Sequence, residues 1–229
     1  MDMHEEFNRN FEILKAVPAA CAVLFKQKKV DVAIVPVGAL PTIPSYTLLS
    51  DYCIAADKHV KTVAVFANQP IDQLKCIYLD ADSRSSVWLL KILLAEYWMQ
   101  TPVLKDMSAF DGILKEEEGL LCIGDKTFPM LGNFQFEYDL AKAWNALTGL
   151  PFVFAVWIGH ETLNQMQIEL LNDALKLGVE NRGHLANMLM KENPAIDFND
   201  YYFNCINYKL DSEKLKAINL FLEKIKNYD

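Results

Sequence analysis

The sequence predicts an α/β fold with mainly parallel sheets, and three observations carry that prediction. Apolar, β-branched segments alternate with amphipathic ones along the chain, the rhythm of βαβ units. The ten-residue string LPFVFAVWIG (Leu150–Gly159) is too apolar for an edge strand and reads as one buried on both faces. The composition is that of a folded globular chain, with 52% hydrophobic and 23% charged residues over 229 positions. That length suits one domain or two interleaved lobes.

The elements follow in order. Phe11–Val17 reads as a strand. Pro18, a favoured residue in a first helical turn, opens a helix through Lys28. VDVAIVPVGAL (Val30–Leu40) reads as a buried strand running into a loop, and after the segment Tyr46–Ala55 comes Val60–Ala67, alternating and β-branched enough to be a strand. Asn68-Gln69-Pro70 punctuates the chain. Cys76–Asp80 then forms a strand, Ser83–Trp98 its helix, Pro102–Lys105 a short strand and Leu120–Phe128 another, ending at Gly124-Asp125. Tyr138–Leu147 is predicted helical, with Thr148-Gly149 as its stop. Glu161–Leu177 and Ser212–Lys226 are helices, the latter with Asp211 as N-cap and Leu215, Ile218, Leu222 and Ile225 on one stripe.

The net charge of −8 argues against a nucleic-acid partner, because backbone binding needs a clustered surplus of Lys and Arg. Five cysteines without C-x-x-C spacing suit a reducing compartment better than a disulfide framework. The start MDMHEEFNRN lacks a basic stretch followed by an apolar one, and no apolar run nears a membrane span, so the expectation is a cytoplasmic protein without a membrane partner. Glycine-rich nucleotide motifs, H-E-x-x-H and G-x-S-x-G do not occur, and His4, His59, His160 and His184 are scattered. Neither a metal nor an organic cofactor is expected.

The most informative string is LDADSRSSVWLLKILL, in which a strand end turns through serines and an arginine directly into an apolar helix. The first N–H groups of a helix lack partners within it and carry the positive end of the dipole. Ser83, Arg84, Ser85 and Ser86 add hydroxyl donors and a fixed cation, so a small carboxylate or phosphate ligand is expected here. Ligands of open α/β sheets sit outside the carboxyl ends of strands, where Val37, Gly38, Gly124 and Asp125 also fall. Each of these residues has an ordinary structural reading as a cap, turn or packing residue.

VDVAIVPVGAL, DYCIAADKHVKTV, LDADSRSSVWLLKILL, LLCIGDKTF, YDLAKAW and TGLPFVFAVW, in this order, resemble the MqnA family of menaquinone biosynthesis, the chorismate dehydratases of the futalosine pathway. The resemblance implies the type II periplasmic-binding-protein fold, two α/β lobes with the ligand between them. It implies lobe 1 over residues 1–66 and 151–229, lobe 2 over 67–150, and hinge strands at Val60–Ala67 and Leu150–Trp157. It further implies removal of water from chorismate to give 3-[(1-carboxyvinyl)oxy]benzoate, without a metal or organic cofactor. Chorismate carries two carboxylates, one of which the Ser83–Ser86 turn would fix, while Phe152, Phe154 and Trp157 would wall off water.

The family's proton-transfer serine in a G-x-V-x-S motif falls on Thr62, which keeps a hydroxyl. Lys58-His59 stands where a Gly-Pro pair is usual. The family's opening strand and asparagine-bearing loop lie upstream of the position of Met1, so activity is expected to depend on a segment this sequence does not contain. The strands near Phe11 and Val30 would then present an unpaired edge through which chains can associate. Two other readings stand beside this one. The first is an enzyme like 1,4-dihydroxy-6-naphthoate synthase, which shares the fold; the second is a non-catalytic module that binds a small anion.

Overall fold

The computed structural model describes residues 4–80 and 84–228. In chain order the elements are α1 (Glu5–Asn10), α2 (Pro18–Lys26), β1 (Val32–Pro36), β2 (Thr47–Ala56), β3 (Val63–Ala67), β4 (Cys76–Leu79), α3 (Arg84–Glu96), β5 (Val103–Asp106), β6 (Glu118–Ile123) and β7 (Phe136–Asp139). There follow α4 (Leu140–Thr148), β8 (Phe152–Gly159), α5 (Gln165–Glu180), α6 (Arg182–Glu192), a short turn α7 (Phe198–Asp200), a π-helical turn (Tyr201–Cys205), β9 (Asn207–Lys209) and α8 (Ser212–Lys226).

Two sheets form, one in the order β1-β8-β2-β9 and the other in the order β5-β4-β6-β3-β7. The expectation of mainly parallel sheets is corrected. Every pairing in the first sheet is antiparallel, and in the second only β4 with β5 and β4 with β6 run parallel. The reason is the return of the chain: α4 delivers it into β8, which runs between β1 and β2 opposite to both. The expected hinge segments Val60–Ala67 and Leu150–Trp157 carry the change of sheet at their first residues rather than along their strands. β3 lies wholly in the second sheet and β8 wholly in the first, so the chain changes sheets within 57–62 and again through α4 and residues 149–151.

One apolar cluster joins the layers. Val35 and Val156 of the first sheet and Val65, Ile77 and Leu121 of the second pack with Leu89, Leu90, Leu93, Leu140 and Trp144 from α3 and α4. Trp144 is fully buried and its Nε1 donates to the Pro151 carbonyl at 3.0 Å, which satisfies the one polar group of that ring.

Several boundaries move for local reasons. The helix expected from Glu161 starts at Gln165, because Asn164 and Gln167 close a reciprocal capping box. Tyr138 and Asp139 belong to β7 rather than to the following helix, and the Asp139 carboxylate caps α4 by accepting from Lys142 N. Asp211 caps α8 as expected, but the buried stripe is Lys214, Ala217, Ile218, Phe221 and Ile225, with Leu215 exposed. Phe11–Val17 is not a strand. Phe11 stacks on Phe7, and residues 12–18 are exposed without ladder partners among the described residues. β1 is therefore an edge strand, and an apolar groove lined by Phe11, Leu14, Leu24, Val32 and Trp157 lies beside it.

Candidate functional site

A cleft with a cavity volume of about 250 Å³ opens between the two sheets. Pro36, Ile54, Phe154 and Ala155 line it from the first sheet, and Val60 and Thr62 from the crossing segment. Arg84, Ser85, Ser86, Ile123 and Gly124 line it from the second layer, and Tyr201 and Ile206 close it from the C-terminal region. Most of this surface is apolar, and among the described residues no acidic side chain lines it.

Arg84 is the first residue of α3, a 13-residue helix, and its side chain is exposed. Among the described residues it forms no hydrogen bond or ion pair, so its charge is available to a ligand. The neighbouring cation is already neutralised: Lys126 Nζ lies 3.1 Å from both carboxylate oxygens of buried Asp80. An exposed guanidinium at a helix N-terminus beside an apolar cleft has the chemistry to take an anion.

Ser85 has a different task. Its hydroxyl accepts from Gly38 N at 3.0 Å and donates to the Phe154 carbonyl at 3.1 Å. That carbonyl is free because β8 carries a bulge against β2, where Ile54 pairs with Ala155 and Ala55 with Val153, leaving Phe154 outside the register. Ser85 thus staples the start of α3 to the first sheet. Gly38 is required by the same contact, since a Cβ there would stand 2.9 Å from the Ser85 Cα.

The crossing segment is held from two sides. Asp139 Oδ2 accepts from Val60 N and Lys61 N, each at 2.8 Å. Lys61 adopts the left-handed backbone (φ 64°), which costs a non-glycine residue on the order of 1 kcal/mol and is stabilised here by the Asp139 bonds and a salt bridge to Asp200. Next to it, buried Thr62 places Oγ1 3.0 Å from Tyr201 Oη and 3.4 Å from the Val60 carbonyl. Burial of the Tyr201 phenol pushes its pKa up to about 12, so it stays neutral. Phe128 meets the Tyr201 ring edge-on, with centroids 5.3 Å apart.

The structure thus brings Thr62, Arg84, Ser85, Ser86, Gly124 and Phe154 into one cleft. Ser83 lies outside the described residues. Val37 is fully buried in the core and Gly38 packs against α3, so that loop lines the cleft through Pro36 instead. Asp125 is exposed and does not line the cleft. Of the three aromatic walls expected, only Phe154 serves: Phe152 is core, and Trp157 lines the grooves behind β1. Tyr201 and Ile206 are the residues that sequence reasoning missed. The cysteines are free, and burial pushes Cys205 near the cleft up to about 11, which makes it inert as a nucleophile. Among the described residues no group of three or more His, Cys, Asp or Glu side chains is placed to hold a metal ion, and no helix is long and apolar enough to cross a membrane.

Comparison with known proteins places this geometry. A family model described as menaquinone biosynthesis matches residues 1–227. The chorismate dehydratase of Thermus thermophilus is 30% identical over 171 residues, which cover 64% of this chain and 60% of that protein's length. Protein AF1704 of Archaeoglobus fulgidus superimposes with a TM-score of 0.69 at 14% identity, covering 94% of this chain and 85% of the other. The periplasmic aliphatic sulphonate binding protein SsuA of Escherichia coli gives a TM-score of 0.55 at 15% identity over 92% of this chain and 75% of its own. The fold is that of the periplasmic binding proteins.

Proposed function

This chain belongs to the menaquinone biosynthesis family, and from that premise we propose that it is a hydro-lyase that removes water from chorismate to give 3-[(1-carboxyvinyl)oxy]benzoate in the cleft between its sheets. The observation that carries the reading is the uncompensated Arg84 at the N-terminus of α3, facing an apolar cleft whose opposite side bears the Thr62–Tyr201 hydroxyl pair. The curated dehydratase supports the reaction and the substrate class.

Chorismate is a dianion with a non-aromatic ring. One carboxylate pairs with the Arg84 guanidinium at the start of α3, a charge-assisted contact stronger than a neutral hydrogen bond. Ile54, Ile123, Phe154 and Ile206 exclude water around the ring. A ring proton and the ring hydroxyl then depart together as water, and the product gains aromaticity. The driving force is intrinsic to the substrate, so the protein orients it and hydrogen-bonds the departing oxygen. Thr62 is the cleft hydroxyl we assign to that contact. Five free cysteines support a cytoplasmic setting.

The test incubates the purified chain with chorismate, beside Arg84→Ala and a version extended upstream in frame, and follows the dehydrated aromatic product by mass. Product from the chain or its extended form, with a raised KM for Arg84→Ala, supports the proposal. Tight chorismate binding with no product from either form would leave a binding module instead.

A further inference from the structure

We propose that Tyr201 is a positioning residue for Thr62: its phenol donates to the Thr62 hydroxyl and so turns the Thr62 proton toward the occupant of the cleft. The inference rests on the dehydration reading and adds to it a residue far along the chain, 139 positions from Thr62.

The direction of the hydrogen bond follows from the partners available. A hydroxyl has one proton to give. Among the described residues Tyr201 Oη has no partner besides Thr62 Oγ1, at 3.0 Å, so only a bond donated by Tyr201 gives the phenol proton an acceptor within the protein, whereas Thr62 also has the Val60 carbonyl in reach. The phenol is also the more acidic hydroxyl and the better donor. With Tyr201 donating, the Thr62 proton has the Val60 carbonyl at 3.4 Å, too long for a good bond, or an atom in the cleft.

The chain then fixes this pair from both sides. Tyr201 begins a π-helical turn, an uncommon conformation that recurs at functional sites. Asp200, the residue before it, is paired with Lys61, the residue before Thr62. Two adjacent links therefore lock the crossing segment to the C-terminal turn in one register. The Phe128 and Tyr202 rings hold the Tyr201 ring, with centroids at 5.3 and 5.2 Å. Because burial keeps the phenol neutral, the donor persists across the pH range of any assay near neutrality.

A double-mutant cycle on chorismate turnover tests this, using Tyr201→Phe, Thr62→Val, the double variant, and Thr62→Ser with and without Tyr201→Phe. The expected result is that Tyr201→Phe lowers kcat roughly tenfold with KM within about twofold, for one lost hydrogen bond. The same change should cost less than about twofold in the Thr62→Val background and keep its roughly tenfold effect in the Thr62→Ser background. Equal losses in all backgrounds, no loss at all, or a Tyr201→Phe melting temperature more than about 4 °C below the parent would each overturn the inference. The cycle is run in whichever of the chain and its upstream-extended form turns over chorismate; no product from either would instead remove the dehydration reading itself, and this inference with it.

Discussion

Replacing Ser85 by alanine should damage the fold rather than the chemistry, and the geometry sets the size of the effect. The Ser85 hydroxyl is buried, accepts from Gly38 N at 3.0 Å and donates to the Phe154 carbonyl at 3.1 Å. Alanine removes both partners at once, and the bulge at Phe154 means that its carbonyl has no position in the β2 register to fall back on. A buried backbone group left without a partner costs about 1–3 kcal/mol. Water reaching the cleft mouth can recover part of that, so the two groups together should cost about 2–4 kcal/mol of a total near 5–15 kcal/mol. For a chain of this size the melting temperature should fall by about 4–16 °C. Urea denaturation followed by tryptophan fluorescence, with chorismate affinity measured on the folded fraction, reads both quantities. Gly38→Ala should behave similarly, because its Cβ meets helix backbone and pushes the two bonded groups apart. A Ser85→Ala protein that melts within about 1 °C of the parent but loses ligand binding would refute the staple and return Ser85 to the ligand.

Further outcomes follow from the same contacts. Arg84→Ala, at an exposed and unpaired position, should change stability by less than about 0.5 kcal/mol while weakening chorismate binding at least tenfold, read by calorimetric titration. Asp139→Asn weakens the acceptor for Val60 N and Lys61 N and the cap of α4, and should cost about 1–3 kcal/mol in urea. Hydrogen bonding to Lys61 holds the Asp200 pKa below its ordinary 3.8, and the same bond raises Lys61 above 10.5. Asp200 therefore contributes fully above its ordinary value and loses that contribution as pH falls through its lowered one. Lys61 contributes below its ordinary value and loses the contribution only as pH rises through its raised one. The stability difference between the parent and Asp200→Asn, below about 1 kcal/mol for a pair this exposed, should stay flat from about pH 5 to 9 and shrink below about pH 4. Melting curves across that range check it. Lys214→Met should cost about 1–3 kcal/mol, since it strips buried Lys214 of its bonds to Asp211 and Asp57 at the entry to the crossing segment.

Local chemistry was readable where it decided the structure alone. Asp211 announces α8, Gly149 ends α4 in a left-handed conformation, and Arg84-Ser85-Ser86 begins a helix that does face a cleft. What the sequence hid is set by tertiary partners. A serine at a helix start looks the same whether its hydroxyl waits for a ligand or staples Gly38 to Phe154. Phe11–Val17 has strand-like residues, yet a strand exists only when a neighbour offers its ladder groups, and none of the described residues does. Tyr201 sits in YYFNC, an aromatic run with no period to mark one ring as cleft-facing; the π-helical turn and the Thr62 contact depend on residues far away in the chain. The antiparallel first sheet was equally invisible, because strand direction follows from how the chain returns through α4.

The central claim is that the cleft holds chorismate with one carboxylate on Arg84 and the ring beneath Thr62. A crystal structure of the Thr62→Val variant soaked with chorismate measures this directly. The account predicts a carboxylate oxygen within about 3.2 Å of the Arg84 guanidinium and the ring hydroxyl beside position 62. Chorismate bound elsewhere, or with both carboxylates turned away from Arg84, would contradict it.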